Sequence, residues 1–256
     1  MQFYVLKNNK NDDRQDPEIF HLKHFDVLQD GGVMKVGTDS FVLGTLATVV
    51  PGKVLDIGCG TGILSLMLAQ RQPNLFNIVG IDILIEAVEL ASENFSRSRW
   101  SSRLSAVHSR AQDYSLQDGE QFDLIISNPP FYKDGFLPKD KTKRSNKHTV
   151  ELSFVSLLSA VGNLLSDQGR FSTIIPANAA DDFIDIALSE GLFPDRRVEI
   201  FSRPNMTAIR NILEFTRVEP EEMQNDELIL RNESGQSYSR EYLFLTKEFH
   251  RDISKM

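Results

Sequence analysis

Three glycines stand in five residues at Gly58-Cys59-Gly60-Thr61-Gly62, directly behind the apolar run Lys53 to Ile57. That run reads as a short buried strand. Beyond the glycines, Ile63, Leu66 and Met67 recur at helical spacing up to Gln70. A strand that turns into a helix through such a bend brings bare backbone and the unpaired N–H groups of a helix start to one point. In open α/β sheets that point, at the carboxyl end of a strand, is where ligands sit. No Gly-Lys-Ser/Thr follows, so the bend is not a phosphate loop. It also departs from the dinucleotide fingerprint, because Asp56 opens it. An acid at a strand's end suits a cationic ligand group such as an amine.

The alternation continues along the chain. Strands are expected at Ile78 to Ile81, Leu104 to His108, Phe122 to Ser127 and Gly169 to Ile175. Helices are expected at Glu86 to Phe95, Leu152 to Leu165 and Ala179 to Ser189. Asp39 is placed to cap a helix over Ser40 to Val49. Val198 to Phe201 and Ile209 to Phe215 suit an antiparallel pair at the sheet's end. The pattern implies a doubly wound, mostly parallel α/β sheet. Residues 1–24 are expected to form an N-terminal arm, polar over residues 7–18. Residues 25–256 are expected to be one domain with a C-terminal extension from about residue 220, holding a strand near Glu227 to Arg231 and a helix after Tyr238.

Composition narrows the classes. Apolar residues make up 41% and charged residues 25%, which fits a globular protein and excludes wholesale disorder. With one cysteine, Cys59, no disulfide forms within the chain and no cysteine zinc cluster is available. A reducing, cytoplasmic setting is expected, with no membrane span, no secretory signal and no metal. The net charge of −8 argues against bulk coating of nucleic acid.

Four further features carry chemistry. Asp82 ends the next strand, where an acid accepts hydrogen bonds from ribose hydroxyls. Gln112 and Asp113 follow the third strand, where an amide or carboxylate binds the exocyclic amine of a purine. Asn128-Pro129-Pro130-Phe131 follows the fourth. Two prolines fix the backbone and leave carbonyls pointing outward. An amide oxygen, a proline carbonyl and an aromatic ring together suit a planar substrate whose NH₂ needs two acceptors. Holding both hydrogens favours a more pyramidal nitrogen with an exposed lone pair, so catalysis would be positioning plus electrostatics. The stretch from Lys133 to His148, with Lys139, Lys141, Lys143, Arg144 and Lys147, reads as a grip on a phosphate backbone.

In that order, Asp-Ile-Gly-Cys-Gly-Thr-Gly, Asp82 and Asn-Pro-Pro-Phe resemble the class I S-adenosylmethionine-dependent methyltransferases acting on amino groups. Met34-Lys-Val-Gly-Thr-Asp39, residues 57–70, Phe122 to Pro130 and the tail from Gln236 to Phe249 resemble the bacterial valine-tRNA adenine N6-methyltransferase family, which methylates adenine 37 beside the anticodon. The resemblance implies a Rossmann-like class I methyltransferase fold, a mostly parallel seven-stranded sheet with an antiparallel strand near one edge. It implies S-adenosylmethionine as cofactor, a tRNA partner and a monomer. Asp56, Gly58 and Gly60 would border the cofactor's methionine part, Asp82 its ribose, and Gln112 and Asp113 its adenine. Lys35, Gly37 and Thr38 would pack over it from the N-terminal side. Asn128 and the Pro129 carbonyl would hold the target N6 beside the cofactor, with Pro130 fixing the backbone and Phe131 stacking on the base. Lys133, Lys141, Lys143 and Arg144 would contact the tRNA. The same tetrapeptide also serves guanine N2-methylation of ribosomal RNA and methylation of a protein glutamine amide, though the glutamine enzymes carry a separate helical N-terminal domain. A non-catalytic RNA-binding protein on a decayed methyltransferase fold is the third reading. The intact glycines and tetrapeptide argue against it.

Overall fold

The structure is a computed structural model that describes residues 18–30, 32–72, 75–114, 121–130 and 152–251. Ten strands and six α-helices are described: β1 (Glu18–His21), β2 (Asp26–Gln29), α1 (Thr38–Leu46), β3 (Gly52–Ile57), α2 (Ile63–Arg71), β4 (Leu75–Asp82), α3 (Ile85–Ser96), β5 (Leu104–His108), β6 (Phe122–Ser127), α4 (Phe154–Leu164), β7 (Leu165–Pro176), α5 (Ala180–Ser189), β8 (Phe193–Phe201), β9 (Ala208–Thr216), β10 (Gln224–Ile229) and α6 (Arg240–Thr246). Phe131, Lys133, Lys141, Lys143 and Arg144 lie outside the described residues.

Eight strands form one sheet in the order β10-β8-β9-β7-β6-β3-β4-β5. β9 runs antiparallel to both β7 and β8, and the other pairings are parallel. The central strands β3 and β6 are rich in Val, Leu and Ile and buried on both faces, as a parallel sheet covered by helices requires. One core packs α1, α2 and α3 against the sheet through Phe41, Leu66, Met67 and Phe95. The other packs α4 and α5 through Leu157, Val161 and Phe183. From β3 the chain steps outward to β4 and β5, then returns to β6 on the other side of β3. The carboxyl ends of β3 and β6 therefore flank the switch point, with Ile57 level with Ser127.

Two expectations are corrected. The sheet has eight strands among the described residues, not seven, because β10 adds to β8 in parallel register, Leu228 beside Ile200. Four of its six residues are exposed, so this edge strand lacks the alternation that marks a half-buried one. Asp39 is not a helix cap. α1 starts two residues earlier, at Thr38 behind Gly37, and Asp39 in its first turn accepts a hydrogen bond from Arg210 Nε at 2.8 Å.

The boundary expected at residue 24 falls within a packed hairpin. β1 pairs antiparallel with β2, and Leu22 and Phe25 between them are buried. Residues 249–251 fasten this hairpin. Lys23 N donates to Phe249 O at 2.9 Å, and Arg251 Nε donates to Leu22 O at 2.8 Å. Gln70 Nε2 donates to Glu248 O, and the Phe249 ring meets Phe41 edge-on at 5.7 Å.

Candidate active site

The bend after β3 is tied to β4. Gly58 N and Cys59 N both donate to Ile81 O, at 2.8 and 3.0 Å. Gly58, Gly60 and Gly62 all have positive φ, at 74°, 53° and 78°. Their reasons differ. At Gly58 a Cβ would meet nothing within 4 Å, so the backbone faces open space. At Gly62 a Cβ would lie 2.4 Å from Phe95 Cε1, so that glycine lets α3 pack against the bend. Cys59 is buried against Gly80, and burial pushes its thiol far above the usual range, so it is an apolar filler rather than a nucleophile.

Asp56 lies beneath the bend, not open to it. It is fully buried, and its Oδ2 accepts from Ser65 Oγ at 2.8 Å and Ser65 N at 3.2 Å. Among the described residues its Oδ1 has no hydrogen-bond partner. Burial pushes the carboxyl up to about 7, against the lowering pull of the Ser65 bonds. Asp82 is half-buried and already engaged: Oδ2 accepts from Gly60 N and Oδ1 from Leu84 N, both at 3.0 Å. Each oxygen keeps a spare lone pair. Gln112 and Asp113 are exposed in the turn past β5. That turn flanks Asp82, whose carbonyl accepts from Ser109 N at 3.0 Å.

A lid segment covers the bend from the N-terminal side. Met34, Lys35, Val36 and Ser40 line a cleft together with Gly58, Gly60 and Asn128. Lys35 forms an ion pair with Glu18, and Val36 N donates to Gln29 Oε1 at 2.8 Å, so β1 and β2 hold the lid. Gly37 and Thr38 start α1 and are exposed. Asn94 joins lid and bend. This buried amide donates to Leu28 O at 3.1 Å and Thr61 O at 2.9 Å, and accepts from Leu28 N at 2.8 Å.

At the end of β6, Asn128 is half-buried, Pro129 buried and Pro130 exposed. Asn128 Nδ2 donates to Ser40 Oγ at 2.8 Å. The structure thus gathers Lys35, Gly58, Gly60 and Asn128 around one cleft, with Asp82 bonded to its floor. Sequence reasoning missed Ser40, Ser65 and Asn94. Asn94 left a signal, an amide on the buried stripe of α3 with Ala87 and Ala91. Ser40 and Ser65 left none.

The methyltransferase small domain model matches residues 30–174, from the lid to β7. The tRNA1(Val) (adenine(37)-N6)-methyltransferase of Bacteroides fragilis is 38% identical over 236 residues, covering 90% of this chain and 97% of that one. The chain belongs to this methyltransferase family. The Flavobacterium johnsoniae enzyme of the same name is 36% identical, covering 91% and 99%. The Proteus mirabilis one is 34% identical, covering 90% and 93%. The fold is also that of a predicted O-methyltransferase, protein Atu636 from Agrobacterium tumefaciens. That crystal structure superposes with a TM-score of 0.63 at 16% identity, over 82% of this chain and 96% of the other.

The cofactor of class I methyltransferases is S-adenosylmethionine, and the residues of this family member fit it. Gly58 offers bare backbone facing open space. The unpartnered Asp56 Oδ1 supplies an acceptor beneath the bend, whose charge a cationic amino group in the cleft would favour. Among the described residues, no group of three or more His, Cys, Asp or Glu side chains is placed to hold a metal ion, and no helix is long and apolar enough to cross a membrane.

The raised Asp56 value has a pH consequence. Its folded value, about 7, exceeds the ordinary 3.8, so the native state holds the proton more tightly. The stability this contributes is full below about pH 4 and is lost as pH rises through 7. A cationic ligand group in the cleft favours the ionised form, so cofactor affinity is expected to rise about tenfold between pH 6 and pH 8. Titration calorimetry across that range checks it. The slope should vanish in Asp56→Asn, and a flat wild-type profile would refute the link.

Proposed function

We propose that the protein transfers a methyl group from S-adenosylmethionine to N6 of adenine 37 in the anticodon loop of a valine tRNA. The observation that carries this reading is the placement of Asn128 in one cleft with the glycine bend, in a chain matched almost end to end by relatives of that name. When bound, S-adenosylmethionine supplies an electrophilic methyl group. The chain's own residues prepare the nucleophile. Asn128 Oδ1 and the Pro129 carbonyl accept the two hydrogens of the adenine amine and turn its lone pair out of conjugation. Pro130 stiffens the turn, and Phe131 stacks on the base, a contact worth about 1–3 kcal/mol. A base stacked in an anticodon loop reaches this site by flipping out. No general base is needed, since after transfer the nitrogen passes its proton to water by way of the Asn128 and Pro129 oxygens. Asp82 would hold the cofactor ribose, Gln112 and Asp113 its adenine, and Lys35, Gly37 and Thr38 would cover it, with Asp56, Gly58 and Gly60 beside its methionine part. We place the enzyme in the cytoplasm as a monomer.

Before β3 the described residues hold one α-helix, α1, and the β1–β2 hairpin. The helical domain expected of a glutamine methyltransferase is not among them. The deciding experiment is methyl transfer from labelled cofactor to unmodified bulk tRNA, followed by nucleoside analysis. Label in N6-methyladenosine of a valine acceptor is expected. Label in N2-methylguanosine, or in protein alone, would overturn the reading.

The tRNA grip carries its own expectation. Lys133, Lys141, Lys143 and Arg144 offset the chain's net charge of −8 locally. Neutralising Lys141, Lys143 and Arg144 together should weaken tRNA binding about 10-fold or more and lower the slope of log affinity against log salt by roughly 2–3. Unchanged affinity and slope in filter binding would remove these residues from the interface.

A further inference from the structure

The side-chain amide of asparagine has two ends of nearly equal size and opposite chemistry. Its oxygen accepts and its NH₂ donates. Only the oxygen end helps an adenine amine, because the NH₂ end would set donor against donor. An amine-holding asparagine therefore needs something that engages its NH₂ end and stops the amide turning. Backbone alone does not, since the Pro129-Pro130 turn fixes the chain and leaves the amide free to rotate about its last bond.

We propose that Ser40 is a positioning residue that fixes the Asn128 amide with its NH₂ toward α1 and its Oδ1 toward the incoming amino group. The inference rests on the methyl-transfer reading and adds to it a residue outside the tetrapeptide. Ser40 Oγ receives the Asn128 Nδ2 hydrogen at 2.8 Å, and among the described residues it is the hydrogen-bond partner of that amide. The hydroxyl is itself held in place. Ser40 lies in the first turn of α1, between Asp39, which bonds Arg210 Nε at 2.8 Å, and Phe41, which is buried. Further along the helix, Arg71 NH1 donates to Gly44 O at 2.9 Å. The helix is thus anchored to β9 and to α2, and a shift of Ser40 would require breaking those contacts. Ser40 also lines the cleft that Gly58 and Gly60 floor. One hydroxyl borders the cofactor side and touches the amine-holding group.

Two variants separate the hydroxyl from the space it fills. Ser40→Ala removes it, and Ser40→Thr keeps it. With tRNA as methyl acceptor, Ser40→Ala is expected to lower kcat about 10- to 100-fold, the cost of a misaimed group near the reacting atoms. The cofactor KM should stay within about twofold, and Ser40→Thr should restore most of the loss. A second readout needs no RNA. In nitrogen-15 spectra the Asn128 side-chain NH₂ should exchange slowly with solvent in the wild type and in Ser40→Thr, and faster in Ser40→Ala. Wild-type kcat in Ser40→Ala would overturn the proposal. So would equal losses in both variants, which would mean a role in packing, or a cofactor KM that rises in step with the loss. If the wild type methylates no RNA, the functional reading fails, and the amide exchange still decides whether Ser40 orients Asn128.

Discussion

Asn128→Ala is expected to lower methyl transfer by about 10³-fold while the cofactor dissociation constant stays within a few-fold. The adenine amine is a poor nucleophile because its lone pair is delocalised into the ring. Two acceptors on its hydrogens change that only as the nitrogen becomes pyramidal, so the interaction strengthens toward the transition state. Removing Oδ1 deletes one of the two and also unlatches Ser40, which loses the amide it bonds. Asn128 borders the cleft from the β6 side, whereas the bend's own hydrogen bonds run to Ile81 and Asp82. The loss should therefore fall on kcat. Single-turnover transfer alongside calorimetric cofactor titration checks both halves. Near-full activity in Asn128→Ala would remove the amine-holding site, and a hundredfold weaker cofactor would move Asn128 to the other ligand.

Asp82→Ala should show the opposite pattern, with cofactor affinity falling about 100-fold. Two losses add. The carboxylate no longer has lone pairs to offer a ribose, and the Gly60 and Leu84 N–H groups lose their acceptor. A charged hydrogen bond contributes about 1.5–3 kcal/mol, so loosening the bend alone accounts for at least a tenfold effect. Asp82→Asn separates the two, since an amide keeps one acceptor oxygen for the bend and should recover part of the affinity. The rate at saturating cofactor should change little. A larger loss in kcat than in cofactor affinity would contradict the assignment.

The central half of the fold was legible because its strands are short, mostly apolar runs that alternate with segments of helical period. β5 and β6 begin and end at the residues read from sequence, Leu104 to His108 and Phe122 to Ser127. The periphery was not. β1 and β2 are four residues each, polar at both ends with two apolar residues between, so they show no alternation, and contacts from residues 249–251 stabilise them. β10 was expected only from Glu227, and its start at Gln224 and its place in the main sheet were not read, because its first four residues are exposed and polar. At the site, glycines and terminal acids announce themselves because their chemistry is local. Asp56 was read at the strand's end beside a ligand, but its burial beneath the bend and its bonds to Ser65 on the first turn of α2 had no signal in the sequence. Ser40 was invisible for a related reason. Its partner is 88 positions away, and one hydroxyl in a helix has no pattern of its own.

The clasp between the chain's last described residues and its first has a consequence for synthesis. Phe249 and Arg251 hold the β1–β2 turn, and that hairpin holds the lid over the glycine bend. On the ribosome, β3, β4 and the bend emerge and pair long before residue 249 leaves the exit tunnel. The cofactor floor thus precedes its roof by most of the translation time. A nascent chain has the glycine bend but no fastened lid, so its grip on the cofactor should be weak until the tail arrives. The clasp makes synthesis of residues 249–251 the step that closes the site, and a chain cut short before them would have a folded sheet with an open cleft.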